Sequence, residues 1–181
     1  CSYDSSKTFA NSRPDVPLSK SVVMNDAPGV EGFHPSVHIP VMLSEVLALL
    51  APQPGEIVVD GTVGAGGHSR EIIKKTGETG RLIAVDRDPM MLKIARSVLP
   101  QENCEFHQGS YANLPAYLAE LEIQQVDGIL LDLGFSSDQL EDQSRGFRFD
   151  SPGPLDLRFD TEFGEPAWQY LQHVSEEELA D

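Results

Sequence analysis

Residues 57 to 69 read IVVDGTVGAGGHS, and this stretch decides the fold. Its first part, Ile57 to Asp60, is a short apolar run closed by an acid, which is typical of a buried parallel strand. A glycine cluster follows from Gly61 to Gly67, and the next residues predict a helix around Ser69 to Lys75. A strand, a glycine-rich turn and a helix in this order predict a turn that lets a ligand approach the backbone closely.

The same alternation continues on both sides of this stretch. Apolar residues at helical spacing predict a helix over Leu43 to Leu50, which Pro52 and Pro54 end. The further predicted elements are a strand over Arg81 to Asp86, a helix over Pro89 to Leu99, a strand over Cys104 to His107, a helix over Leu114 to Leu121 and a strand over Val126 to Asp132. This order predicts an α/β fold with a doubly wound parallel sheet. Because about three more strands would complete such a sheet, we expect a fold that is incomplete at the C-terminus.

Composition and charge limit the possible partners. The net charge is −16, and residues 141 to 181 contribute half of it, with 11 acidic residues against three arginines. This excess disfavours direct contact with nucleic-acid phosphates, so an RNA-binding role requires a basic surface elsewhere. No apolar run approaches the ~18 residues of a membrane span. Cys1 and Cys104 fit neither a disulfide framework nor a zinc site, so we expect a reducing, cytoplasmic setting and no structural metal.

Three of the predicted strands end in carboxylates, at Asp60, Asp86 and Asp132. The carboxyl ends of parallel strands meet at one edge, so we expect these acids around one crevice. Asp86 follows Gly66 by 20 residues, where a carboxylate can hold the ribose hydroxyls of a nucleoside. NAD and S-adenosylmethionine both carry a ribose. Acids would repel the pyrophosphate of NAD and attract the sulfonium and ammonium of S-adenosylmethionine, so the sulfonium cofactor fits better.

Six longer motifs are specific enough to indicate a protein family. In chain order they read HIPVMLSEV (38–46), DGTVGAGGHS (60–69), AVDRDP (84–89), LLDLGFSSDQL (130–140), RGFRF (145–149) and GPLDLRFD (153–160). Over residues 37 to 181 the chain resembles the bacterial ribosomal RNA small subunit methyltransferase H family. The resemblance implies a Rossmann-like methyltransferase fold and S-adenosylmethionine as the cofactor. It also implies methylation of the N4 amine of a cytosine in small-subunit (16S) ribosomal RNA, either as free RNA or within the assembled small subunit.

The resemblance also suggests how the chain is divided. We expect residues 1–36 to be a disordered extension, because they mix Ser, Asp, Pro and Asn without a sustained period. Residues 37–140 would be the cofactor-binding domain. Residues 141–181 would hold a substrate loop and the start of an inserted helical domain, with one or two helices in the amphipathic stretch from Pro166 to Ala180.

The resemblance also implies individual cofactor contacts. The residues implied are Gly66, Gly67 and His68 at the methionine end, Asp86 at the ribose, Tyr111 near the adenine, and Asp132 and Gln139 completing the set.

Each assignment has a structural alternative. On sequence alone, His68 could cap a helix, Tyr111 could be a core residue and Gln139 could be a surface residue. The arginines Arg145, Arg148 and Arg158 could be solvated partners of the nearby acids. The aromatic residues Phe147 and Phe149 alternate with arginines and could either clamp a single-stranded base or pack their loop down.

The catalytic candidates are Asp132 and Phe135. The sequence Asp132-Leu133-Gly134-Phe135 occupies the position at which amino-methyltransferases of the DPPY type keep an acid and an aromatic ring, although it lacks both prolines. We hypothesise that Asp132, or the Leu133 carbonyl, accepts a hydrogen bond from N4 and that Phe135 stacks on the base. Two other functions stay open, namely a nucleotide-dependent oxidoreductase and a truncated, non-catalytic cofactor-binding fragment.

Overall fold

The computed structural model describes residues 40–180. The extension over residues 1–36 that the sequence predicts to be disordered lies outside the described residues. Within residues 40–180, no helix is long and apolar enough to cross a membrane. In chain order the elements are α1 (Leu43–Leu50), β1 (Ile57–Asp60), α2 (Gly67–Thr76), β2 (Arg81–Asp86), α3 (Pro89–Val98), β3 (Cys104–Gln108), α4 (Leu114–Glu120), β4 (Gly128–Leu130), α5 (Ser137–Glu141), α6 (Ala167–Tyr170) and α7 (Glu176–Ala180).

The four strands form one parallel sheet in the order β3-β2-β1-β4. β1 is central, and its last residue, Asp60, is in register with Ala84 of β2 and Leu130 of β4. The three strands that precede the predicted acids are therefore neighbours, and they end at the same edge. This arrangement confirms the predicted α/β fold and its parallel sheet.

Apolar side chains alternate between the two faces of the sheet, as the strand period of two requires. One face of the sheet packs against α2 and α3, through a cluster that includes Val58, Ile72, Leu82, Ala84, Leu92, Ala95 and Leu99. The opposite face packs against α4, through Val59, Ile83, Val85, Leu114, Tyr117 and Leu118. Helices therefore cover both faces, which confirms the doubly wound arrangement.

β4 is shorter than the sequence predicts. Pairing with β1 ends at Leu130, so Asp132 lies two residues beyond the strand rather than at its end. The backbone amide of Asp132 instead donates to the Thr62 hydroxyl oxygen at 2.7 Å. In the described part of the chain, β4 pairs with β1 alone, and Ile129 is half exposed.

Two local elements were missed by the sequence analysis. A single 3₁₀ turn covers Tyr111–Asn113, directly after β3. The short helix α5 begins with a capping box, in which Ser136 and Gln139 satisfy each other's backbone amides. The spacing of these two residues is a sequence signal that could have located α5. At the end of the chain, α6 and α7 agree with the one or two helices predicted between Pro166 and Ala180.

Gly66 shows why the turn after β1 needs glycine. It is the N-cap of α2 and has a φ of +82°, a left-handed conformation that side chains rarely adopt. A Cβ at this position would also lie 3.2 to 3.3 Å from side-chain atoms of Leu99 and Val98. Gly67 has a different constraint, since a Cβ there would lie 2.6 Å from Pro40.

We expect Gly66→Ala to lower the free energy of unfolding by about 1–3 kcal/mol, because it adds backbone strain and crowds α3. The matched control is Gly164→Ala, which shares the φ of +82° but would place its Cβ with no atom within 4 Å. Urea unfolding should show the smaller loss for Gly164→Ala. Equal losses would mean that packing against Leu99 and Val98 contributes nothing to the choice of glycine.

Candidate functional site

The loop that follows β1 is fastened to the strands on both sides of it. The Gly61 amide donates to the carbonyl oxygen of Leu130 in β4 at 2.9 Å. The Val63 amide donates to the carbonyl oxygen of Val85 in β2 at 3.0 Å. Because both bonds use the backbone, the path of the loop is set by the sheet. The loop consequently crosses the edge at which β2, β1 and β4 end.

Asp60 faces the protein interior rather than the crevice. Its side chain is buried, and it accepts hydrogen bonds from the Ser69 hydroxyl at 2.7 Å and from the Thr62 amide at 3.2 Å. Burial raises the pKa of Asp60 from 3.8 to about 6, against the lowering effect of these two bonds. Asp60 therefore ties the glycine loop to α2 and does not line a ligand site.

Asp86 lies between the glycine loop and the start of α3. One carboxylate oxygen accepts the Gly64 amide at 2.8 Å, and the other accepts the Asp88 amide at 3.0 Å. Burial raises the pKa of Asp86, and the two amides partly offset that effect. Each carboxylate oxygen can accept a second hydrogen bond, so Asp86 keeps the capacity to receive a pair of vicinal hydroxyl groups.

Asp132 and His68 meet at the other side of the loop. The carboxylate of Asp132 is half exposed and lies 3.7 Å from Nδ1 of the buried His68. The Nε2 atom of His68 lies 3.0 Å from the carbonyl oxygen of Val41 and donates to it, because a carbonyl can only accept. The interpretation of His68 as a helix cap is wrong, since Gly66 is the N-cap of α2 and no side chain caps this end.

Tyr111 lies beside the first residue of the glycine loop. A Cβ built on Gly61 would lie 3.0 Å from the Cβ of Tyr111. The side chain of Tyr111 is 41% exposed, so the alternative that it is a core residue is wrong. Its place after β3 puts an aromatic ring at the same edge of the sheet as Asp86.

Gln139 belongs to a buried network centred on Asp88. The side chains of Asp88, Gln139 and Arg145 are all nearly fully buried. One oxygen of Asp88 accepts both the Gln139 amide nitrogen and the Arg145 guanidinium, each at 2.9 Å. The other oxygen caps α3 by accepting the Met90 amide. The alternatives that Gln139 is a surface residue and that Arg145 is solvated are therefore wrong.

Three phenylalanines form an aromatic cluster next to this network. The ring centroid of Phe135 lies 4.7 Å from that of Phe147 and 5.2 Å from that of Phe159. Phe147 therefore packs against its own loop, whereas Phe149 is fully exposed. Phe135 still exposes 53% of its surface, so one part of it stays accessible from outside the cluster.

The two remaining arginines pair locally with acids. Arg148 bonds Asp150 in an exposed pair, and Arg158 bonds Asp156 through two guanidinium nitrogens. The Arg158 pair lowers the pKa of Asp156. The alternative of a solvated partner for nearby acids is therefore confirmed for Arg148, whereas Arg158 pairs with a nearby acid but is largely buried.

The sequence analysis did not identify Asp88 as part of the site. One signal was available, because an Asp directly before Pro89 is typical of a helix N-cap. Nothing in the local sequence shows that Gln139 and Arg145, more than 50 residues further on, contact the same carboxylate.

Other features of the described residues add no further site. A hollow of about 400 Å³ lies between α1 and the end of α2, away from the strand ends, and includes Leu47, Pro52 and Lys75. Among residues 40–180, no three His, Cys, Asp or Glu side chains come together in a way that could hold a metal ion.

Fold and site together define a Rossmann-like α/β domain whose glycine loop and acids meet at the carboxyl edge of a parallel sheet. The sequence profile of the MraW methylase family matches residues 35–181. This chain belongs to the MraW methylase family.

The chain matches similar proteins over a defined part of their length. The ribosomal RNA small subunit methyltransferase H of Nitrosospira multiformis is 49% identical over 144 residues, covering 80% of this chain and 45% of the relative. The protein of the same name from Syntrophotalea carbinolica is 49% identical over 145 residues, covering 79% and 46%. The crystal structure of TrmN from Thermus thermophilus matches with a TM-score of 0.45 and 24% identity, over 55% of this chain and 29% of that one. The chain thus spans less than half the length of the relatives that it matches.

The buried carboxylate of Asp60 predicts a pH dependence of stability. Its pKa of about 6 in the folded state exceeds the ordinary aspartate value of 3.8, so the folded protein holds this proton more tightly than the unfolded chain. Stability from this group is present below pH 4 and is lost as the pH rises through 6, by about 3 kcal/mol in total.

We expect Asp60→Asn to remove this dependence, because the amide keeps an acceptor for Thr62 and cannot ionise. Urea unfolding at pH 4 and pH 7 should show the wild type losing stability, relative to the variant, as the pH rises. A difference between the two proteins that stays constant across this range would contradict the assignment. Asp127→Asn, which changes an acid at the opposite end of the sheet, serves as the control.

Proposed function

We propose that this chain is the S-adenosylmethionine-binding part of a methyltransferase that modifies the N4 amine of a cytosine in small-subunit ribosomal RNA. The observation that carries the proposal is the position of Asp86, at the carboxyl end of β2 and hydrogen-bonded to the glycine loop through Gly64. Membership of the MraW methylase family and the names of the relatives support methyl transfer to small-subunit ribosomal RNA. The N4 amine of a cytosine as the target is what the resemblance of the sequence motifs implies.

The electrostatics of the crevice favour a cationic ligand. Asp86 and Asp132 lie on either side of the glycine loop, and His68 is the one basic side chain that contacts either carboxylate within the described residues. A sulfonium and an ammonium gain energy beside such carboxylates, whereas the pyrophosphate of NAD loses it. In this proposal Asp86 accepts the ribose hydroxyls, Gly66, Gly67 and His68 contact the methionine end, and Tyr111 lies along the adenine.

Gln139 would be a further cofactor-binding residue, with its side-chain amide held in one orientation by hydrogen bonds. Its amide oxygen accepts the Ser136 amide, and its nitrogen donates to Asp88. A second hydrogen on the same nitrogen is left for a cofactor group. The capping box therefore orients Gln139 before any ligand binds.

Asp132 and Phe135 would position the target base. When bound, S-adenosylmethionine supplies a methyl group on a sulfonium. The N4 lone pair is delocalised into the ring, so holding it in line with the methyl–sulfur bond is the main contribution that the protein can make. Asp132, or the Leu133 carbonyl, would accept an N4 hydrogen, and the exposed part of Phe135 would stack on a base that has been unstacked from its neighbours.

The acidic surface points to a particular kind of substrate. With 11 acids and three arginines in residues 141–181, this part of the chain would repel bare RNA phosphates. We therefore propose small-subunit ribosomal RNA within a ribonucleoprotein as the partner, in the cytoplasm. Cofactor binding without methyl transfer is the second candidate for this chain, because it spans about 45% of its relatives.

Calorimetry with S-adenosylhomocysteine tests the cofactor. We expect the chain to bind it in preference to NAD and expect Asp86→Asn to weaken binding by about tenfold or more, since a charged hydrogen-bond acceptor is lost. Asp127→Asn is the matched control, because Asp127 also accepts a backbone amide but at the opposite edge of the sheet. Preferential binding of NAD would replace the proposal with an oxidoreductase.

A methylation assay on small ribosomal subunits tests the reaction, with this chain and a full-length relative compared side by side. We expect Asp132→Ala and Phe135→Ala to lower the rate by about 100-fold when each is introduced at the matching position of the active protein. The control is Phe163→Ala, at an exposed ring remote in sequence. An Asp132→Ala protein that works at nearly the wild-type rate would remove Asp132 from the mechanism.

A further inference from the structure

The network centred on Asp88 joins three segments that are distant in sequence. Asp88 caps α3, Gln139 comes from α5, and Arg145 comes from the loop after α5. Arg145 reaches further, because its guanidinium also donates to the carbonyl oxygens of Arg158 and Phe159 at 2.9 and 2.7 Å. The buried ion pair between Arg145 and Asp88 thus holds the loop after α5 against the start of α3.

Each ring of the aromatic cluster is attached to this network. Phe135 precedes Ser136, which caps the helix that carries Gln139. The ring of Phe147 lies 5.6 Å from the Arg145 guanidinium, and the carbonyl of Phe159 accepts from it. The cluster is therefore held by the same arginine that neutralises Asp88.

The proposed ribose acid is attached to the network from the other side. The backbone amide of Asp88 donates to a carboxylate oxygen of Asp86 at 3.0 Å. A displacement of Asp88 would consequently change the orientation of Asp86.

We propose that Arg145 is a positioning residue that couples the cofactor site to the aromatic cluster, through Asp88. This inference rests on the proposed function, because it assigns Asp86 to the ribose and the cluster to the base. One guanidinium nitrogen, Nη2, donates to the carboxylate and to both carbonyls, and the planar group also lies over the Phe147 ring. The ammonium of lysine is a strongly hydrated point charge on a flexible stem and lacks that planar face. Arg145→Lys keeps the charge and removes the planar group that lies over the Phe147 ring.

The test measures binding and the cluster in the same chain. Arg145→Lys is compared with the wild type for S-adenosylhomocysteine affinity, at a temperature at which circular dichroism shows both to be folded. We expect the variant to bind about tenfold more weakly. Arg81→Lys is the matched control, since Arg81 forms a single, partly exposed pair with Glu105.

Fluorescence reports on the cluster. Trp168 is the single tryptophan of the chain, so Trp168→Phe combined with Phe147→Trp leaves one emitter in the cluster. We expect S-adenosylhomocysteine to change its emission when Arg145 is present and to leave it unchanged with Arg145→Lys. If Arg145→Lys does not fold, the neutral pair Asp88→Asn with Arg145→Gln is used, and it should also lose the emission change.

The outcomes separate the two proposals. If the wild type does not bind S-adenosylhomocysteine, the proposed function and this inference both fail. If the wild type binds and the folded Arg145→Lys protein keeps an affinity within twofold of it, or keeps the emission change, the coupling is overturned and the proposed function stands.

Discussion

The backbone bonds that hold the glycine loop across the sheet edge are the constraint on which the site depends. The Gly61 amide bonds to β4 and the Val63 amide bonds to β2. The loop can make both bonds because β1 lies between β2 and β4 in a parallel sheet. Gly64 and Gly66 take left-handed conformations along this path, with Gly64 partly exposed and Gly66 buried. A site built in this way is a property of the sheet and does not depend on a flexible loop.

Three acids at one sheet edge take three different roles because their surroundings differ. Asp60 is fully buried and fastens α2, Asp86 is partly buried and faces the loop, and Asp132 is half exposed beside His68. The raised pKa values of Asp60 and Asp86 follow from burial, which penalises the charged form. The exposed Asp132 and the partly buried Asp86 are therefore the acids available to a ligand. Asp60 instead holds the glycine loop through its hydrogen bonds to Thr62 and Ser69.

Patterns within a few residues predicted most of the fold. The strands Ile57–Asp60 and Arg81–Asp86 have the predicted bounds, because continuous apolar runs between glycines and acids leave little choice of ends. The predicted β4 was too long. Its length depends on how many of its residues pair with β1, and the sequence of β4 alone does not contain that information. The site was predictable to the extent that it lies at strand ends. Its Asp88 network was not, because it depends on contacts across more than 50 residues.

The edge of β4 has a practical consequence for handling this chain. Its outer backbone groups have no strand beside them in residues 40–180, and Ile129 and Leu131 are substantially exposed there. An open, apolar strand edge is a template on which another polypeptide can add a strand. Self-association through this edge would grow with protein concentration, and the strong negative charge would oppose it most at low ionic strength. Dilute, low-salt solutions are accordingly the conditions in which association through this edge is weakest.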